Sequence, residues 1–195
     1  MNPGCYLITL LSSLFLLCSS PVSAHTEPTH TSVLEGLVVG VSEGDQITVN
    51  SFGTEIHVRL YGIAAPQTAK VDKFTGWSKA GQPYAEEAFR ALSIKVLHQQ
   101  VKIDIRKTVV TKHDSKQVAL AVVYLDGRNI NLEMVADGWA WAYRQVSSKA
   151  DYREFLAAEK QARSKRKGLW NQGIPQPPWE FVPELRINPK KHSGN

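Results

Sequence analysis

The stretch from Glu43 to Gln67, EGDQITVNSFGTEIHVRLYGIAAPQ, constrains this chain more than any other. From Ile56 the alternation is strict: Ile56, Val58 and Leu60 share one side, and His57, Arg59 and Tyr61 share the other. Such a period of two marks a strand with one buried face. Upstream, Ile47 and Val49 repeat the pattern, and Asn50-Ser51-Phe52-Gly53 supplies turn residues between the two runs. Gly62 to Pro66 then turn the chain out of the sheet. An arginine in mid-strand opposite a core face needs a partner or a ligand, so Arg59 marks the outer side of this hairpin as a place where charge converges.

The ends of the chain read differently. Met1 to Ala24 carry no charged side chain, and Cys5 to Cys18 form an apolar run too short for a comfortable membrane span. Val22-Ser23-Ala24 offers the small residues a signal peptidase reads, which predicts a signal peptide over 1–24 and export to the periplasm or the medium. Both cysteines fall inside that segment. An exported chain without thiols has no disulfide framework, so a packed core must hold its remaining ~170 residues together. Residues 25–35 read as a disordered polar leader. Its His25 and His30 are more simply solvated than metal-bound. Residues 183–195 read as a disordered tail.

Between these ends the signals alternate. A first strand is expected from Gly36, followed by the two strands of the opening stretch. Thr68 to Gln82 has no sustained period and reads as a long exposed loop carrying Lys70, Lys73, Trp77 and Lys79. Basic groups interleaved with an aromatic can grip a single strand of nucleic acid by charge and stacking; Trp77 can equally pin the loop to the body. Pro83 opens a helix expected to run to Leu97, with Glu86 and Glu87 near its positive end. Val101 to Arg106 and Gln117 to Tyr124 are strands, Asp126-Gly127 is a hairpin turn, and Asn131 is placed to cap a short helix ending at Gly138. Ala150 to Lys167 is a longer helix closed by Gly168. Pro177-Pro178-Trp179 is expected to fold an extended segment back on the body. Short strands with an inserted helix indicate an α+β chain: a small barrel of the oligonucleotide-binding type plus helices. The net charge of +5 favours anionic partners.

Six segments together resemble the staphylococcal-nuclease-like (thermonuclease) family. They are Gly44-Asp45, VRLYGIAAP at Val58 to Pro66, GQPYAEEA at Gly81 to Ala88, VVYLDGRNINLEMVADGWAWAY at Val122 to Tyr143, AEKQARSKRKGLW at Ala158 to Trp170, and PPWEF at Pro177 to Phe181. The resemblance spans Gly36 to Val182 and implies a five-stranded OB-fold barrel with three helices over residues 36–182. Active members are calcium-dependent phosphodiesterases acting on DNA and RNA. They use two aspartates on the ion, a glutamate that activates water and two arginines that neutralise the phosphate.

Carried across residue by residue, the resemblance puts Asp45 at the first metal ligand and Arg59 at the first arginine. Ala64 stands where the second aspartate belongs, and Gln67 where the general base belongs. An amide cannot take a proton from water at neutral pH. Counting back from Asp126-Gly127 aligns Asp114 with another family aspartate and Val118 with the second arginine; Lys116 lies two residues before Val118 and supplies charge without bidentate geometry. Glu43 and Asp72 are the acidic residues nearest to a rescue, Glu43 being read as solvated.

Three functions follow as expectations. The leading one is a non-catalytic domain that binds nucleic acid or another polyanion through Arg59, the Lys70, Lys73, Trp77 and Lys79 loop, and Lys116, with no cofactor. The second is an endonuclease with a rearranged site that needs calcium. The third is a protein-binding module using a pocket that Ala64, Ala65 and Val118 make more apolar.

Overall fold

The computed structural model describes residues 32–72, 75–111 and 115–187. The expectations for the signal peptide, His25, His30, Lys73 and Asp114 lie outside these residues. The described chain runs β1 (Ser32–Glu43), β2 (Gln46–Ser51), β3 (Thr54–Leu60), β4 (Ile63–Ala64), β5 (Lys70–Val71), β6 (Trp77–Lys79), α1 (Ala85–Val96), β7 (Gln100–Val110), β8 (Gln117–Leu125), β9 (Arg128–Asn129), α2 (Ile130–Ala136), β10 (Trp141–Ala142), α3 (Lys149–Ser164) and β11 (Leu185–Ile187). No helix among the described residues is long and apolar enough to cross a membrane.

Strands β1, β2, β3, β7 and β8 form a closed five-stranded barrel. All neighbours are antiparallel except β3 and β8, whose parallel pairing of His57 to Leu60 with Val118 to Ala121 shuts it. β1 serves two partners, β7 with its first half and β2 with its second, and it bends between them at register shifts around Val39 and Ser42. The alternating residues of the opening stretch do what their period requires: Ile47, Val49, Val58 and Leu60 are at most 2% exposed and meet Leu92 of α1 and Met134 of α2 in one core. Each such side chain removed from water contributes about 1.5–3 kcal/mol.

The helices set the barrel's closed end. Asn129, not Asn131, caps α2 by accepting from the Leu132 N–H. Asn131 lies within the helix, fully buried, donating to the carbonyls of Tyr61 and Ala121 and accepting from Val123 N–H. It thereby ties α2 to the barrel wall at the point where β3 leaves the sheet. Pro83 precedes α1 by two residues, and Tyr84 occupies the capping position with φ of 65°. Further out, Glu159 of α3 is buried and accepts the Ala142 N–H at 2.7 Å, fixing β10, which in turn pairs Trp141 with Ala64.

Three differences from the sequence expectation matter most near the site. β1 begins at Ser32 rather than Gly36, paired with Ile105, because the barrel's curvature gives even its polar start a partner strand. Thr68 to Gln82 is not a bare loop: β5 and β6 pair as a small hairpin, and β11 adds a third strand. The tail expected to be structureless from 183 therefore contributes Leu185–Ile187 to a sheet.

Candidate nucleic-acid interface

The corner that follows β3 is built by two close approaches. Gly62 has φ of 78°, and a side chain there would collide with the Phe155 ring. Gly44, in the β1–β2 turn, sits where a Cβ would meet Ala65 and Ala88 Cβ atoms at 2.8 Å each. The turn carrying Asp45 is thus pressed between α1 and the corner carrying Ala64 to Gln67.

Asp45 is 2% exposed. Its Oδ2 accepts from Arg59 Nη2 at 3.3 Å and from the Ala65 N–H at 3.4 Å. Burial pushes the Asp45 carboxyl above its ordinary value, and Arg59 and the Ala65 N–H offset this only in part. Arg59 remains 45% exposed along its side chain, available to an anion from its outer side.

Glu43 is the residue whose importance the sequence understated. It shares a row on the outer wall with Gln46 and Arg59, yet it is 5% exposed because the segment after Pro66 covers it. Its Oε2 accepts the Thr68 N–H at 2.9 Å and its Oε1 pairs with Lys70 Nζ at 3.2 Å. The solvated reading of Glu43 is therefore wrong. Asp72 accepts the Thr75 N–H and shapes the β5–β6 turn.

Gln67, the residue expected at the general-base position, is engaged at both ends of its amide. Oε1 accepts from Lys79 Nζ at 2.6 Å and Nε2 donates to the Pro178 carbonyl at 3.2 Å. Gln82 reinforces the same join, accepting the Gln67 N–H and donating to Gln176. The extended segment expected from Pro177-Pro178-Trp179 is indeed strapped to the body here, and Trp179 stacks on Tyr143 with centroids 5.2 Å apart. Sequence reasoning quoted both aromatics inside motifs without assigning them this contact.

Ala64 is buried and offers no donor. Val118, the residue expected where the family has its second arginine, lines with Arg59 a cavity of about 450 Å³ whose other walls include Leu60, Ile63, Leu120 and Tyr143. Lys116 and Lys70 instead line a neighbouring cleft of about 330 Å³ with His57. Trp77 is half-buried in β6, its backbone in register with Ile187, which fits the pinning role. A larger cleft of about 610 Å³ lies elsewhere, by Phe52, Lys102 and Asp126. Convergence of buried charge, not volume, identifies the site, and that cleft lacks it.

Residues 57–172 match the family model described as staphylococcal nuclease homologue. The chain belongs to this family. A protein of Haemophilus influenzae named as an uncharacterized endonuclease is 36% identical over 77% of this chain and 74% of its own length. Protein ParB of Escherichia coli is 32% identical over 76% of this chain and 78% of its own. The micrococcal nuclease of Shigella flexneri is 31% identical over 75% and 79%. The nuclease homologue described here keeps the barrel and helices of that family.

Family nucleases are calcium-dependent, and the donor set of this nuclease homologue does not fit the ion. Calcium takes six to eight oxygen ligands. The corner presents two carboxylates, Glu43 and Asp45, each already facing a cation, and Ala64, expected at the second aspartate's position, has only a methyl side chain. Among the described residues no group of three or more His, Cys, Asp or Glu side chains could hold a metal.

Proposed function

We propose that this nuclease homologue is an exported, non-catalytic protein whose barrel binds nucleic acid or another polyanion. The observation that carries this reading is Gln67: it has no carboxylate to take a proton from water, and its amide is committed to Lys79 and Pro178. By the family resemblance, Ala64 stands in place of a metal ligand and Val118, on β8, in place of a phosphate-neutralising cation. Arg59, Lys70 and Lys116 still line adjoining clefts, and the chain carries +5 overall.

Fluorescence anisotropy with labelled single-stranded DNA tests the binding. The expected result is an affinity that falls steeply with salt, and in Arg59→Ala a salt slope smaller by about one. Absence of binding at low salt overturns the reading.

A second reading, a calcium-dependent endonuclease with a rearranged site, draws on Glu43, which brings a second buried carboxylate beside Asp45, and on the relatives named as nucleases. Digestion of plasmid and RNA with calcium, magnesium, manganese or chelator separates the two. Chelator-sensitive cleavage that disappears in Arg59→Ala would establish the second reading and sink the first.

A further inference from the structure

We propose that Lys70 takes the electrostatic place of a metal ion at this corner, so that the site is held together by an internal ammonium group and does not depend on calcium. The inference rests on the non-catalytic reading and deepens it.

Glu43 and Asp45 are neighbouring carboxylates, each less than a tenth exposed along the side chain. Two buried negative charges repel one another and have lost their water, so each must be neutralised from the protein or by a bound cation. Arg59 serves Asp45. Glu43 is served by Lys70, whose own side chain is 57% exposed, so it approaches from the solvent side as an ion would. The Thr68 N–H completes the shell of Glu43 from the backbone at 2.9 Å.

The hairpin explains why an ammonium group arrives there. β5 and β6 pair with Lys70 opposite Lys79, and residues paired across antiparallel strands project to the same side. One lysine reaches Glu43 and the other reaches Gln67. Two ammonium groups fixed side by side are a poor neighbour for a divalent cation and a good one for carboxylate and amide oxygens. Lys70 is thus a positioning residue: it holds Glu43, and through Glu43 the Thr68 backbone and the corner.

Thermal unfolding of the full chain in calcium and in chelator, with calorimetric titration of calcium, tests this. The parent chain is expected to show the same midpoint in both and no binding heat. Lys70→Met should lower the midpoint in chelator by about 2–4 °C, and calcium should recover part of the loss. Lys70→Arg, which keeps the charge, should hold the parent midpoint. The double variant Glu43→Gln with Lys70→Met should return close to the parent and ignore calcium, because the amide oxygen still accepts from Thr68 without a charge to neutralise. A calcium-raised midpoint in the parent, an unchanged midpoint in Lys70→Met, or a double variant no better than the single one overturns the inference. Cleavage activity breaks the non-catalytic reading, whereas calcium binding by a chain that does not cleave breaks this inference alone.

Discussion

At the seam between α1 and α2, Lys95 Nζ lies 2.8 Å from Glu133 and 3.0 Å from Asp137, with all three side chains partly open to water. At the corner, Glu43 and Asp45 are almost closed off from water, and their cations reach them from the exposed side. The balance of effects differs accordingly. Burial alone would lower the ammonium pKa of Lys95, but its two carboxylates more than offset this and hold it above its ordinary value. For Asp45 the burial wins, and the carboxyl is raised despite Arg59. A structural ion cluster is compensated where it stands. At the corner, Asp45 is buried beyond its compensation, a pattern found more often at functional sites than in structural ion clusters.

The largest difference between the two regions should appear in truncation of a carboxylate. Glu43→Ala leaves the Thr68 N–H without its acceptor and Lys70 without its partner, and should cost about 2–3 kcal/mol in urea unfolding. Glu133→Ala at the seam should cost only about 1 kcal/mol, because its ion pairs are partly solvated. A larger loss at Glu133 than at Glu43 would break the comparison.

Asp45→Asn should act in the opposite sense and raise stability at neutral pH. A carboxyl with a raised folded pKa contributes most at low pH, where it is protonated in both states, and that contribution is lost as pH rises from the ordinary value of 3.8 through the folded one. The variant should therefore flatten this part of the stability profile followed by denaturant unfolding across acid pH. A steeper profile, or a loss at neutral pH, would show that Arg59 compensates Asp45 fully.

The seam titrates at the other end of the scale. The raised Lys95 pKa gives stability that is complete below its unfolded value near 10.5 and is lost as pH rises through the folded value. Lys95→Met should remove this alkaline dependence while costing under about 1 kcal/mol at neutral pH. The smallest effect should come from Trp179→Ala, which removes a half-exposed ring stacked on Tyr143 and should cost about 0.5–1.5 kcal/mol, read by thermal unfolding.

Where side chains repeat with a period, the sequence was easily read. Ile56 to Leu60, Ile47 with Val49, and Val101 with Ile103 announce buried strand faces, and the barrel follows from them. β4, β5 and β10 are two residues long and carry no period; β5 pairs with the next strand, β6, whereas the pairing of β4 with β10 depends on a partner far away in the chain. Asn131 illustrates a different difficulty. An asparagine before an apolar run suits a cap, but Asn129 also suits it, and only the packed barrel shows which side chain faces the orphaned groups of Tyr61, Ala121 and Val123. That Ala64, Gln67 and Val118 carry neither a carboxylate nor a guanidinium was legible from residue type alone. The burial of Glu43 was not, since its cover comes from the backbone of Thr68 and the reach of Lys70.

The bond from Gln67 to Pro178 joins residues 111 apart in the chain. Closing so long a loop has an entropic cost that grows with the logarithm of its length, whereas the β2–β3 hairpin needs only its own turn. The β2–β3 hairpin and the Glu43–Lys70 pair close much shorter loops than the Gln67–Pro178 join does. In loop-closure terms Gln67 makes one of the costlier fastenings of the fold, a join of strap to barrel that costs least once the barrel is already in place.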